Sequence, residues 1–286
     1  MAVCGVCFRH CELNEGRTGF CGARTNVNGK VVASNYGKIT SLALDPIEKK
    51  PLNRFFPGKK ILSVGSYGCN LRCPFCQNHE ISWSAEAFKY ADTAETLTPK
   101  ELTDIALSQI PKGNIGVAYT YNEPLVGYEF VRDTAKLVHE NGMKNVLVSS
   151  GMADLSVLDE ISPYIDAMNI DLKGFTEYFY NDLIHGSFDM VLDFIKEAVK
   201  VCHVELTTLI VPGENDSVNE MRDISSFIAG LKDAKGNVVG ADIPLHISRF
   251  FPRFHMTDRA PTDVGLIYKL TDVAKERLNY VYPGNV

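Results

Sequence analysis

The sequence predicts an α/β protein built on a barrel or partial barrel of parallel strands, preceded by a small cysteine-rich segment. Three observations carry that expectation. From Lys60 onward, short apolar runs alternate with longer helical patterns about six times, which is how βαβ units read. A chain of 286 residues with 45% hydrophobic content can bury a large core. Residues 1–28, by contrast, are rich in cysteine and glycine and have little periodicity, so a metal could supply the fold there in place of a packed core. The expected division is an extension and linker over 1–58 and a barrel over 59–286.

Element by element, residues 30–33 and 38–44 read as two short strands, with Asn35-Tyr36-Gly37 as the hairpin turn between them. Residues 45–58, with Pro46, Pro51 and Pro57, read as an irregular linker. Strands follow at 61–64, 115–120, 145–149, 167–172, 204–211, 244–248 and 280–282. Helices are expected at 99–110 with Thr98 as N-cap, and at 124–140, 155–161, 188–200, 219–231 and 263–277. Parallel-sheet folds of this kind place their chemistry at the carboxyl ends of the strands.

The composition narrows the function classes. A net charge of −6 gives no global basic surface for nucleic acid or an anionic membrane. No apolar run reaches the ~18–20 residues that span a bilayer, and the first residues lack a secretory pattern. The expectation is a cytoplasmic protein. In a reducing compartment the eight cysteines are not a disulfide framework. Seven fall in two tight clusters, which reads as metal ligation. Cys202 stands alone and reads as an ordinary thiol.

The central motif is Cys69-x3-Cys73-x2-Cys76, in a loop that follows the first barrel strand. Three thiolates within eight residues converge from one loop, yet cannot complete four-fold ligation of a [4Fe–4S] cluster. One iron is then open to a cofactor. S-adenosylmethionine (SAM) chelates such an iron through its amino and carboxylate groups. An electron from the cluster breaks its sulfonium carbon–sulfur bond to give a 5′-deoxyadenosyl radical. The bland alternative, zinc with a distant fourth ligand, more often uses C-x2-C pairs. A non-catalytic iron–sulfur carrier is the other class of function.

The motif closely resembles the signature of the radical SAM superfamily, and Phe75 matches the aromatic usually found before the third cysteine. From Pro46 onward the chain resembles the pyruvate formate-lyase-activase-like branch. Nearly full length, it resembles the radical SAM member of the AmmeMemoRadiSam group. The residues that carry this are the leading C-x2-C-x3-C, Gly19–Arg24, Asp45–Leu52, Gly68–Asn78, Ala118–Pro124 and Val281–Val286. The resemblance implies a partial (β/α)6 TIM-like barrel with a cysteine-rich amino-terminal metal-binding extension. It also implies an oxidoreductase fed by a flavodoxin- or ferredoxin-like electron donor, acting on a substrate that includes, in the activase case, a glycine of a partner enzyme.

By the same resemblance, Asn122 and Glu123 hold the SAM amino group, although the first glycine of the usual Gly-Gly-Glu-Pro is missing here. A helix N-terminus with an acidic first turn is the plain reading of those two residues. Ser149, at a strand end, would approach the ribose or carboxylate. Asp171 and Lys173 point the same way on an extended chain and would contact SAM; otherwise they form a strand-end ion pair. Val211 would pack near the adenine. His246 would lie beside SAM and substrate, or else be a core histidine.

At the amino terminus, Cys4, Cys7, Cys11 and Cys21 offer four thiolates. Four cysteines suit structural zinc or a second iron–sulfur cluster. Trp83 reads as core packing, and Phe250, Phe251, Phe254 and His255 as shaping the substrate entrance or lying in a surface loop.

Overall fold

The computed structural model describes all 286 residues, apart from the side chains of Tyr90, Ala91 and Asp92. Its centre is an eight-stranded sheet. The strands are β1 (Ser41–Pro46), β2 (Lys60–Gly65), β3 (Asn114–Tyr119), β4 (Lys144–Ser149), β5 (Ala167–Asp171), β6 (His203–Ile210), β7 (Leu245–Arg249) and β8 (Val281–Gly284). They lie side by side in chain order. From β2 to β8 every pair is parallel, and β1 joins β2 antiparallel. Steady progression without a reversal of strand order is barrel winding, and among the described residues the two edge strands do not pair, so the barrel is open.

Helices fill the crossovers: α1 (Pro99–Ser108), α2 (Tyr128–Glu140), α3 (Leu155–Ile161), α4 (Phe188–Val201), α5 (Val218–Ala229) and α6 (Val264–Lys275). Their ends are set locally. Thr98 Oγ1 accepts from Glu101 N (3.2 Å) while the Glu101 carboxylate accepts from Thr98 N (2.7 Å), a reciprocal capping box. Asp154, Ser187, Ser217 and Asp263 cap α3, α4, α5 and α6. The strands are near-continuous apolar runs because both sheet faces are covered.

Two expectations are corrected. Residues 30–33 pair with Arg24–Val27, not with 38–44. The turn is Asn28-Gly29, both with positive φ (54° and 77°), as a two-residue I′ turn requires. Residues 38–44 divide: Lys38–Ile39 pairs with Glu95–Thr96, and β1 becomes the edge of the main sheet. The stretch 45–58 is also more than a linker. Ile47 and Leu52 are fully buried against Ile61, Ala118, Val146 and Ala167, closing the amino-terminal end of the barrel.

Glu205 ties that floor down. Its buried carboxylate accepts from Asn53 N (2.9 Å), Arg54 N (2.7 Å), His203 Nε2 (3.0 Å) and His246 Nε2 (2.7 Å). Burial pushes the carboxyl up, but those four donors outweigh it and hold the group down at about 2. No helix among the described residues is long and apolar enough to cross a membrane.

Candidate active site

The carboxyl ends of the strands surround a cavity of about 270 Å³. On one wall stand Cys69, Cys73 and Cys76, from the loop after β2; Leu71 N–H points at Cys69 Sγ (3.5 Å). Cys73 is buried, and burial pushes its thiol up to about 12 in the metal-free chain. Coordination to a metal reverses that preference, because the ligand is the thiolate. The donor set therefore fits the group the motif implies: three sulfurs facing one open cavity with polar residues opposite.

The loop that presents the thiols is held from behind. Asn122 Nδ2 donates to the carbonyls of Tyr67 (3.2 Å) and Gly68 (3.0 Å), and its Oδ1 accepts from Ser66 N (3.2 Å). Gly68 has φ of 96°, and a Cβ there would lie 2.4 Å from Ala23 Cβ, so only glycine fits. Phe75 is buried between the second and third cysteines, 6.2 Å from the Phe179 ring, and lines the cavity.

Glu123 is a buried carboxylate whose acceptors are all in use. Oε1 takes Ser149 Oγ (2.8 Å) and Leu125 N (3.1 Å); Oε2 takes Ser150 N (2.8 Å) and Ser150 Oγ (2.6 Å). A carboxylate offers about four lone-pair sites. Burial still wins and raises the carboxyl above its ordinary range. Serine hydroxyls rotate, so an arriving ammonium can replace a neutral donor with a charged one.

Tyr121, beside them, has φ of 74°, unusual for a residue with a side chain. Its hydroxyl donates to Asp45 Oδ2 (2.8 Å), which also takes Lys50 Nζ (2.8 Å). Burial and Asp45 push the Tyr121 hydroxyl up to about 12, so it remains a donor. This clasp, between the barrel floor segment and the loop after β3, secures the backbone that carries Asn122 and Glu123.

Across the cavity Lys173 Nζ donates to Asp171 Oδ2 (2.8 Å). Burial favours the neutral amine, but Asp171 prevails and holds the ammonium firmly charged. Thr207, Leu209 and Ser248, from β6 and β7, complete the wall.

Of the residues read from sequence, Cys69, Cys73, Cys76, Phe75, Asn122, Glu123, Ser149, Asp171 and Lys173 come together here. Two do not. Val211 is buried past the end of β6, its N–H donating to Asn215 Oδ1 (2.7 Å), and Leu209 lines the wall instead. His246 is not among the lining residues: it lies two residues nearer the floor than Ser248 and its ring is held by Glu205. Along a strand that is about 7 Å. Sequence reasoning passed over Thr207; it placed Ser150 in the turn beside Ser149 and Leu209 in the apolar stretch near the adenine, but singled out Ser149 and Val211 instead. Thr207 and Leu209 were both legible as lining residues in principle, because Glu205, Thr207 and Leu209 alternate onto one strand face. Trp83, read as core, lines the cavity and meets the Phe254 ring edge-on at 5.1 Å. Phe254 also stacks on His79 at 4.0 Å, and His255 N donates to Pro74 O (2.9 Å), fastening the loop after β7 to the cysteine loop.

Cys4, Cys7, Cys11 and Cys21 line a separate small cavity together with Asn70 of the cysteine loop.

A model of the Radical SAM superfamily matches residues 63–225. An uncharacterized protein of Methanocaldococcus jannaschii is 40% identical over 287 residues, covering 99% of this chain and 81% of that one. The pyruvate formate-lyase 1-activating enzyme of Escherichia coli K12 is 27% identical over 183 residues, 63% of this chain and 71% of its own. Among solved structures, Streptococcus suis SuiB bound to precursor peptide SuiA aligns with a TM-score of 0.57 at 11% identity, over 84% of this chain and 51% of that one. At that identity the likeness is one of fold.

Proposed function

The chain belongs to the radical SAM superfamily, and from that premise we propose that it binds a [4Fe–4S] cluster through Cys69, Cys73 and Cys76 and cleaves SAM at it. The observation that carries the reading is the meeting of three thiols with polar residues from the ends of β3, β4 and β5 around one cavity of about 270 Å³. When bound, the cluster supplies one electron to the sulfonium, releasing methionine and a 5′-deoxyadenosyl radical that abstracts a hydrogen atom.

The chain's own residues bind and orient. Asn122 fixes the cysteine loop. Glu123, Ser149 and Ser150 receive the SAM ammonium. Lys173, kept cationic by Asp171, receives the carboxylate. Leu209 and Phe75 give apolar surface, and Val211 and His246 support the wall from behind. Trp83 and the loop after β7 stand at the mouth, where they exclude water. The hydrogen donor is, in the activase-like reading, a glycine of a partner enzyme, with a flavodoxin- or ferredoxin-like protein supplying the electron. The name of the E. coli relative supports that reading. The motifs at 45–52 and 281–286 support placement near the AmmeMemoRadiSam group. Cys4, Cys7, Cys11 and Cys21 would hold zinc or a second cluster in an amino-terminal extension; the expected boundary at 58 moves forward, because Ser41–Pro46, Ile47 and Leu52 are built into the barrel. A cytoplasmic setting suits eight free thiols.

The test is SAM binding by anaerobically reconstituted, iron-loaded protein. Saturable binding that is lost in the Cys73→Ala variant is expected. A fully loaded protein that does not bind SAM is an electron carrier, and the proposal fails.

A further inference from the structure

We propose that Arg72 is a positioning residue of the cavity mouth: it ties the amino-terminal extension to Trp83 through stacked side chains, so that the extension forms part of the active-site rim. The proposal rests on the reading of that cavity as the SAM site, and adds what holds its mouth in place.

Trp83 is the chain's single tryptophan. It is half-buried and lines the cavity. Its indole N–H makes no hydrogen bond to another described residue, so packing alone sets where the ring stands. Two neighbours supply that packing. The Arg72 guanidinium carbon lies 4.7 Å from the centre of the Trp83 ring, and the Phe254 ring meets it edge-on at 5.1 Å.

Arg72 is fixed before it reaches Trp83. Its Nη1 donates to Cys69 O (2.7 Å) and Leu71 O (2.7 Å), and its Nη2 to Phe20 O. These bonds use the edges of a flat fork and leave its faces for aromatic rings. One such ring is that of Phe20, 3.9 Å from the Arg72 guanidinium carbon. Arg9 lies 3.4 Å from the same ring, and its Nε donates to Asn70 O (3.2 Å). Neither guanidinium forms an ion pair among the described residues. Both cations are directed to rings and to carbonyls of the cysteine loop, where half-burial strengthens a cation–ring contact.

The far side of Trp83 is held in the same manner. Phe254 stacks on His79, 4.0 Å between ring centres and 15° between planes. His79 Nδ1 is buried without a partner, so stacking rather than hydrogen bonding orients that ring. Phe254 has φ of 56°, an outlier for so bulky a residue. The turn that carries it is closed by Arg253 N to Met256 O (3.2 Å) and Met256 N to Arg253 O (3.0 Å). Such a conformation persists only where its surroundings over-determine it. A continuous line of contacts therefore runs from Phe20 in the extension, through Arg72 and Trp83, to the loop after β7. A wall without hydrogen bonds is as firm as the stack behind it, and a loosened stack admits water to the cavity. A brace for the cysteine loop alone would need the carbonyl bonds of Arg72 but not a ring on its cavity side.

The test is acrylamide quenching of tryptophan fluorescence, which reports Trp83 alone, in iron-loaded full-length protein at matched iron content. The wild type is compared with Phe20→Leu and Arg72→Lys. Phe20 is 38% exposed and does not line the cavity, so leucine removes the aromatic face at little risk to the fold. Lysine keeps the charge at residue 72 but loses the flat fork. The expected result is a quenching constant higher by about twofold or more in both variants, and SAM dissociation several-fold faster from Phe20→Leu in stopped-flow measurements. Quenching equal to wild type in both variants overturns the proposal. A rise in Arg72→Lys alone makes Arg72 a local brace and overturns the part assigned to the extension. A rise with unchanged SAM dissociation overturns the role at the active site. If quenching rises in Phe20→Leu but loaded wild type does not bind SAM, the proposed function fails while the coupling between extension and mouth stands. If SAM binds and quenching is unchanged, the reverse holds.

Discussion

Glu205→Gln probes the floor of the barrel. The wild-type carboxyl titrates at about 2 in the folded chain. In an unstructured chain it would titrate near ~4.3. The difference corresponds to about 3 kcal/mol of stability at neutral pH. The sign follows from the depressed value: the contribution is full above about pH 4.3 and fades as pH falls toward about 2. Glutamine keeps one acceptor and turns an amide toward donors from Asn53, Arg54, His203 and His246, so the variant should lose close to the whole amount. Guanidinium unfolding of anaerobically prepared protein at pH 7 reads the loss directly, and the gap between wild type and variant should narrow below about pH 4. Equal stability at pH 7, or a gap that is the same at pH 3 and pH 7, would refute the argument.

Three further changes test the cavity itself. Lys173→Ala removes the cation that Asp171 holds charged; a charge-assisted bond of ~1.5–3 kcal/mol predicts SAM binding weaker by roughly tenfold or more at unchanged iron content, measured by equilibrium dialysis. Wild-type affinity should not fall between pH 7 and pH 9 on account of this group, since its ammonium is firmly retained. Ser150→Ala deletes the hydroxyl 2.6 Å from Glu123 Oε2 and should destabilise the fold by about 1–3 kcal/mol in chemical denaturation; no change would mean the carboxylate finds another donor. Tyr121→Phe cuts the bond to Asp45 (2.8 Å) and should weaken SAM binding several-fold while leaving iron content intact, an outcome that unaltered binding would contradict.

The barrel was legible because parallel strands buried on both faces read as apolar runs separated by amphipathic helices, and because polar residues at strand ends such as Asp171 and Lys173 stand out against such runs. Asn28-Gly29 was the stronger hairpin signal, and it was passed over for Asn35-Tyr36-Gly37. What sequence could not show is partnership at long range. Asp45 and Lys50 meet Tyr121 more than 70 residues away, and Glu205 reaches back about 150 residues to Asn53 and Arg54. His246 illustrates the cost: strand alternation correctly puts it on the same face as Ser248, but depth within the barrel, and the grip of Glu205, decide that Ser248 alone meets the cavity.

The central claim is reductive cleavage of SAM at the Cys69–Cys73–Cys76 site. The most direct measurement is chromatographic quantification of methionine and 5′-deoxyadenosine from reconstituted protein given SAM and dithionite, beside a Cys73→Ala variant. The account predicts equal amounts of both products from the wild type and neither from the variant. Equal product from the variant, or none from iron-loaded wild type that demonstrably binds SAM, would contradict it.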